Sequence, residues 1–387
     1  MKIGIITRSN SSTWGGDLKA LSAISFGLQQ LGHEVEFYSQ LNEDLADCEF
    51  ALITNTCLDQ RENYAWLKTK NIPYGAICFH EDFDRYLGYC MGFNNYVKNA
   101  LRFPSRDTVQ DCFDNLINNP EMVKWYTRAH WDTSMNYPVL RDAVFCIANS
   151  EQEAATIRRD CPEAKVNVVY WTAGMADEWD DTISDEFPHL INATQYMLQV
   201  GRLEPRKNQL ATLLACQHIS LPLVFIATKG NQTEYEQAFI DCASRMRCHP
   251  TILVTDMMET CQKGYLSVIQ MPGGQKLSTT CLKSSYQHAK VHVHPAFYEL
   301  PGYTYLESLR YGVPTLASRW ASIPEYLGID PLLNGAISYA LPYDIKGIRS
   351  KTTQLLELPQ QKLDLAIFKR TPLDVAQQIE ELIMLRV

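Results

Sequence analysis

The chain has 387 residues, 46% of them hydrophobic and 20% charged, with a formal net charge of −9, which is globular composition over a length that suits two domains, each with its own core. Disordered and collagen-like classes are excluded. Residues 1–185 hold 16 Lys and Arg against 27 Asp and Glu, leaving 19 against 17 for the remainder, so neither half carries the basic footprint of a nucleic-acid binder.

The opening MKIGIITRSN has one lysine and an apolar run cut short by Thr7 and Arg8, and reads as neither a signal peptide nor a membrane span. Lys2 to Thr7 is a first strand, followed by Gly15-Gly16 and a helix with Leu18, Leu21, Ile24, Leu28 and Leu31 on one face, closed by Gly32. Glu34 to Tyr38, Phe50 to Thr54, Tyr74 to Phe79, Val144 to Ala148 and Val166 to Tyr170 are further strands, and near-continuous apolar runs of this kind suit parallel strands buried on both faces. Ser150 and Glu153 form a capping box that starts a helix. Residues 83–137 are rich in aromatic residues, which suit packing under a long insertion or, less simply, stacking on a glycan or a weak peripheral membrane contact. The acidic balance of this half argues against electrostatic docking on a membrane.

A polar, acidic stretch from Thr172 to Thr194 has linker character, after which the pattern restarts. Tyr196 to Val200 is a strand, Gln209 to His218 a helix, and Leu223 to Ala227, Thr251 to Thr255, Val268 to Gln270, Val291 to His294 and Val313 to Ala317 are strands. The expected architecture is α/β, with two Rossmann-like doubly wound domains facing across a cleft: residues 1–185, residues 186–371, and a C-terminal helix within 372–387 that crosses back onto the first domain. Ligands of such sheets bind at the carboxyl ends of the strands. Neither Gly-x-Gly-x-x-Gly nor a Walker motif is present, so a phosphate ligand would rest on helix ends and side chains. The twelve cysteines show no Cys-x-x-Cys pair and no zinc spacing, as in the reduced thiols of a cytoplasmic protein.

Two segments carry candidate chemistry. Arg202 and Lys207, in Val200–Lys207 (VGRLEPRK), follow a strand end, where a planar guanidinium and a mobile ammonium can neutralise a diphosphate; taken alone, the loop is also a plausible solvated charge cluster. The run His292–Ser318, HVHPAFYELPGYTYLESLRYGVPTLAS, sets Glu299 on a loop and Glu307 one turn into a helix, with seven residues between them. Gly302 and the free amides at Tyr303 and Thr304 make a ready anion or hydroxyl site. The bland alternatives are a turn acid and a charge that favours an early helix.

Together with Ile323-Pro324-Glu325, these runs resemble, in order and spacing, the nucleotide-sugar-binding domain of retaining GT-B glycosyltransferases of the family 4 type. The resemblance implies that Glu307 binds the donor ribose, that Glu299 contacts the donor sugar, and that Arg202 and Lys207 hold the diphosphate. More loosely, Gly15 and Gly16 resemble the family's first loop, which implies that they bind the donor by letting the backbone approach it, and His80, in Ile77–Asp82, resembles its strand-end histidine that touches the donor sugar, although Glu81 intervenes before Asp82. Leu300-Pro301-Gly302 keeps only the second glycine of the family's Gly-Phe-Gly, and Ala173-Gly174 stands where Asn-Gly is usual. The implied activity is transfer of a sugar from a nucleotide diphosphate sugar to a hydroxyl of a glycan or glycolipid acceptor, with retention, no cofactor and no metal. The Asp82-Phe83-Asp84 pattern reads as coincidence in this context. The competing readings are a phosphorylase or epimerase on the same plan, and a non-catalytic relative that binds nucleotide or glycan.

Overall fold

Apolar runs buried on both faces build two sheets in a computed structural model of the chain, which describes residues 1–7, 15–39, 41, 43–82, 88–90, 92, 134–174, 179–230, 232–245, 249–274, 276–328 and 335–385. Most of the aromatic-rich stretch, apart from Tyr89 and Tyr137, and Asp84 of the Asp-x-Asp pattern lie outside the described residues. The first sheet contains β1 (Lys2–Ile6), β2 (Glu34–Tyr38), β3 (Phe50–Thr54), β4 (Tyr74–Ile77), β5 (Cys146–Ala148) and β6 (Val166–Val168), in the order β2-β1-β3-β4-β5-β6 and all parallel. The two-residue period of a strand divides its side chains between two cores. Phe50 and Leu52 face the helix Gly16–Gln30 with Leu18, Leu21, Ile24 and Leu28, while Ala51 and Ile53 pack on the other side with Leu67 and Ile157.

The second sheet contains β7 (Tyr196–Val200), β8 (Leu223–Ala227), β9 (Thr251–Thr255), β10 (Cys261–Lys263), β11 (Leu266–Gln270), β12 (Ala289–His294), β13 (Thr315–Ser318) and β14 (Ile337–Ala340). Its order is β10-β11-β9-β8-β7-β12-β13-β14, and among the described residues only the β10–β11 pair is antiparallel. Two of these strands, β10 and β14, have no counterpart in the sequence reading: β10 is a mostly exposed three-residue hairpin arm and β14 is half-buried, so neither shows an apolar run. Strand order reverses between β7 and β12, and the crevice at such a switch point is where open α/β sheets place their ligands.

The two halves share one hydrophobic core. It runs from Ile3, Ile5 and Leu21 through Trp171 and Ala173 to Tyr305, Leu306, Leu309 and Tyr326. Trp179, by contrast, is buried with Phe187, Tyr196 and Tyr286 of the second half. The C-terminal helix Pro372–Met384 lies along the Gly16–Gln30 helix and buries Val375, Ala376, Ile379 and Ile383 in the shared core. Thr371 and Asp374 cap its start reciprocally, and His33 meets Glu380 at 2.9 Å.

Gly27 is where the two helices come closest: a Cβ there would press on the Pro372 carbonyl and lie 2.7 Å from the Ala376 methyl. Alanine is otherwise the better helix former by up to about 1 kcal/mol. Gly27→Ala is nevertheless expected to lower stability by about 1–3 kcal/mol through overpacking, measured by denaturant unfolding; a neutral or stabilising result would show that the C-terminal helix does not pack this tightly.

Candidate active site

The loop that leaves β7 is held by its own carbonyl groups. The Gln199 side-chain amide donates to the Lys207 carbonyl at 2.7 Å, Gln209 donates to the Arg202 carbonyl at 2.7 Å, and the Phe297 amide donates to the Arg206 carbonyl at 2.8 Å. Asn208 adopts φ +62°, and its side chain donates to the carbonyls of Pro295 (2.8 Å) and Pro342 (2.6 Å). Asparagine tolerates this left-handed geometry better than most residues. The loop is thereby locked to the segment that follows β12, and the short helical turn Pro205–Lys207 delivers Lys207 into the switch-point crevice.

There, Glu299 Oε1 accepts from Lys207 Nζ at 2.5 Å and from His294 Nε2 at 3.0 Å. All three residues are largely or fully buried. Burial opposes ionisation of Glu299, but the Lys207 ammonium and the His294 hydrogen bond outweigh it and hold its carboxyl far below the usual carboxylate range. Burial pulls the Lys207 ammonium down against the attraction of Glu299, and it likewise keeps the His294 ring neutral. The contact is therefore an ion pair buttressed by a neutral imidazole. Gly302 has φ +88°, and a Cβ there would sit 2.5 Å from the Tyr305 ring and 3.2 Å from Glu299 Cβ, so the turn that aims Glu299 requires glycine. The Tyr305 hydroxyl donates to the His294 carbonyl at 2.7 Å, which ties the helix Tyr303–Arg310 to the end of β12.

Other second-domain residues predicted from sequence have partners of their own. Glu307 is buried and accepts from the Tyr286 hydroxyl at 2.8 Å; burial, against Tyr286 and Lys19, raises its pKa to about 7. Arg202 is about a third exposed, 3.5 Å from Glu204. Sequence reasoning missed Arg206 as a site residue: it contacts Glu204 at 3.0 Å and reaches across the cleft to Glu81 at 3.2 Å. It also missed His294, whose only signal was the His-x-His alternation of β12.

First-domain residues meet the site less directly. The Tyr303 ring lies against Gly16 and Gly174; a Cβ on Gly174, at φ +69°, would be 2.7 Å from that ring. Gly15 precedes the Gly16 helix as its cap, and the Thr304 hydroxyl is buried. His80 is not brought to Lys207 and Glu299 through its ring. The ring is fully buried, with Nδ1 at 3.0 Å from Thr56 Oγ1 and Nε2 at 2.9 Å from Asp160. Only the His80 carbonyl faces the second domain, accepting from the Tyr298 hydroxyl at 3.0 Å. Asp82 pairs with Arg159 at 3.0 Å. The capping box at Ser150 is also only half formed: Ser150 accepts from the Glu153 amide, but the Glu153 carboxylate accepts from the amides of Asn149 and His80 instead. Among the described residues, no group of three His, Cys, Asp or Glu could hold a metal ion.

No family model matches the chain, and no curated protein matches its sequence. Solved structures do. The chain is similar to sucrose-phosphate synthase from Thermosynechococcus elongatus, at 12% identity and a TM-score of 0.60 over 98% of this chain and 94% of that one. It is similar to HepE from Anabaena in complex with UDP and glucose, at 15% identity and a TM-score of 0.53 over 99% of each. It is also similar to the α,α-trehalose 6-phosphate synthase of Burkholderia multivorans, at 10% identity and a TM-score of 0.57 over 99% and 96%. These structural neighbours are GT-B glycosyltransferases, and the chain has the GT-B fold.

Glu307 makes stability depend on pH. Its folded pKa lies above its unfolded value near 4.5, so folding takes up a proton there. Its contribution is most favourable below about pH 4.5, is lost as pH rises to about 7, and is level beyond, at roughly 1.4 kcal/mol per pH unit inside the window. Glu307→Gln keeps an acceptor for Tyr286 without the charge. The variant is expected to gain in melting temperature over the wild type as pH rises from 4.5 to 8; a difference that does not change with pH would contradict the burial of an ionising carboxyl.

Proposed function

We propose that the chain is a retaining glycosyltransferase that moves a sugar from a nucleotide diphosphate sugar, held on the second domain, to a hydroxyl of a glycan or glycolipid acceptor presented by the first. The observation that carries this is the buried Lys207–Glu299–His294 unit at the switch point of the second sheet of a GT-B fold. Arg202 and Lys207 are the cations for the diphosphate, and their charge stabilises the anion that departs. The bond from the anomeric carbon to the phosphate oxygen breaks while the acceptor oxygen bonds on the same face, and the acceptor proton leaves on the departing phosphate.

In this reading Glu299 acts through position and field, its Oε1 holding Lys207 and His294, and not as a nucleophile. Glu307, on the same helix as Tyr303 and Thr304, takes the ribose hydroxyls. The charge of the leaving group is met by side chains, without a metal. UDP is the first nucleotide to test, since HepE is described with UDP and glucose. A second reading, nucleotide binding without transfer, draws on one observation: the His80 ring is enclosed by Thr56 and Asp160 and does not face the donor site.

Thermal-shift measurements with UDP, GDP, ADP, CMP and their sugars separate these readings from a misassigned site. One nucleoside diphosphate, at about 100 times its dissociation constant, should add about 2.7 kcal/mol of stability, and the effect should disappear in Lys207→Ala and Glu307→Ala. Binding followed by release of nucleotide from its sugar in the presence of an acceptor supports transfer. Binding with no turnover over a wide acceptor panel favours the second reading, and no stabilisation by any nucleotide refutes both.

A further inference from the structure

The Ile323-Pro324-Glu325 run has no role in the donor site proposed above, and its Glu325 reaches the other domain. Glu325 lies on the short helix Ile323–Leu327. Its carboxylate accepts from the backbone amides of Glu151 (2.5 Å) and Gln152 (3.0 Å) and lies 3.4 Å from the Tyr170 hydroxyl. Those amides open the ten-residue helix Glu151–Asp160 of the first domain. The first amides of a helix have no carbonyl partner within it, and an anion at that end is favoured by the helix dipole. Ser150, the residue before the helix, satisfies the Glu153 amide. The first domain thus caps one of its amides itself, and the second domain caps two others.

Neighbouring residues reinforce the junction. The Tyr326 hydroxyl donates to the Asn149 carbonyl at 2.8 Å and accepts from the Trp171 amide at 3.2 Å, and the Gln152 side chain donates to the Trp320 carbonyl at 2.9 Å. From the capped helix, Glu153 reaches the amides of Asn149 and His80, at the ends of β5 and β4. The His80 carbonyl and Glu81 in turn meet Tyr298 and Arg206 beside Lys207. A continuous set of short polar contacts therefore links Glu325 to the first-domain wall that faces the donor site.

We propose that Glu325 and Tyr326 form a cross-domain pivot, a positioning pair that sets the angle at which the first domain is presented to Lys207 and Glu299. The pivot itself stands on geometry alone; its consequence for transfer rests on the glycosyltransferase reading above. Glu325 is not among the nucleotide contacts proposed here, and its carboxylate is taken up by the amides of Glu151 and Gln152. Losing the cap should therefore impair transfer without impairing nucleotide binding.

Hydrogen exchange of the full chain, followed by mass spectrometry, tests the pivot directly. In Glu325→Ala, amides 151 and 152 should exchange about ten-fold faster or more, with Glu325→Gln in between and distant core peptides unchanged. Exchange at 151 and 152 that stays at the wild-type rate, or that rises equally over the whole chain, overturns the proposal. The kinetic arm uses UDP, or the nucleoside diphosphate of the thermal-shift panel which the wild type binds in its place. An unchanged UDP affinity with a transfer rate about ten-fold lower in Glu325→Ala, partly restored in Glu325→Gln, supports positioning, while UDP affinity falling in step with the rate overturns it. If the wild type binds none of UDP, GDP, ADP and CMP, the glycosyltransferase reading fails and the exchange result alone decides the pivot.

Discussion

The buried contact between Lys207 and Glu299 is the constraint around which the second domain is organised. Two charges removed from water recover their desolvation cost only with close geometry and further hydrogen bonds. Here the contact is 2.5 Å and His294 supplies a third partner at 3.0 Å. The surroundings exist to hold that geometry: Gln199, Gln209, Asn208 and Phe297 secure the loop that carries Lys207, and Gly302 makes the turn that carries Glu299. Lys207 is held by the buried Glu299 carboxylate, with Glu204 adding to the attraction and Arg206 opposing it, and a buried ammonium at the switch point of the sheet suits a diphosphate better than a purely structural role.

Much of the fold was legible in the sequence because strands buried on both faces are read as apolar runs, and β1, β3, β7, β8 and β9 are such runs. Arg202, Lys207 and Glu299 stand out in the sequence as charges in the segments that leave β7 and β12, where a parallel sheet exposes its binding edge, and Glu307 as an acid in the helix that follows. What could not be read depends on partners far away in the chain. The Glu153 side chain, three residues after a good cap, satisfies the amide of His80 instead of closing a local box. His80 looked available because nothing nearby in sequence shows that Asp160, 80 residues on, takes its Nε2. Arg206 and Glu81 are 125 residues apart and meet only because the domains face each other.

Coupling between the domains follows from the shared core. Trp171, Tyr305 and Tyr326 pack in one cluster with the Gly16–Gln30 and Pro372–Met384 helices, so the halves cannot separate without exposing apolar surface. Polar contacts at Glu325, Tyr298 and Arg206 then select one relative orientation among those the core would tolerate. Such contacts are directional and individually modest, about 0.5–1.5 kcal/mol for an ordinary hydrogen bond such as that of Tyr298 and about 1.5–3 kcal/mol where a charged group such as Glu325 takes part. Hydrophobic burial thus supplies the cohesion and the polar contacts supply the angle.

Calorimetric titration of the wild type and Lys207→Ala with uridine, UMP and UDP tests the central claim most directly, because the series adds phosphates to a fixed nucleoside. If Lys207 is a cation for the diphosphate, UDP should bind the wild type at least about ten-fold more tightly than uridine, an increment of roughly 1.4 kcal/mol, and Lys207→Ala should remove that increment while leaving uridine binding in place. Equal affinity for uridine and UDP, or an increment that survives the loss of Lys207, would contradict the account.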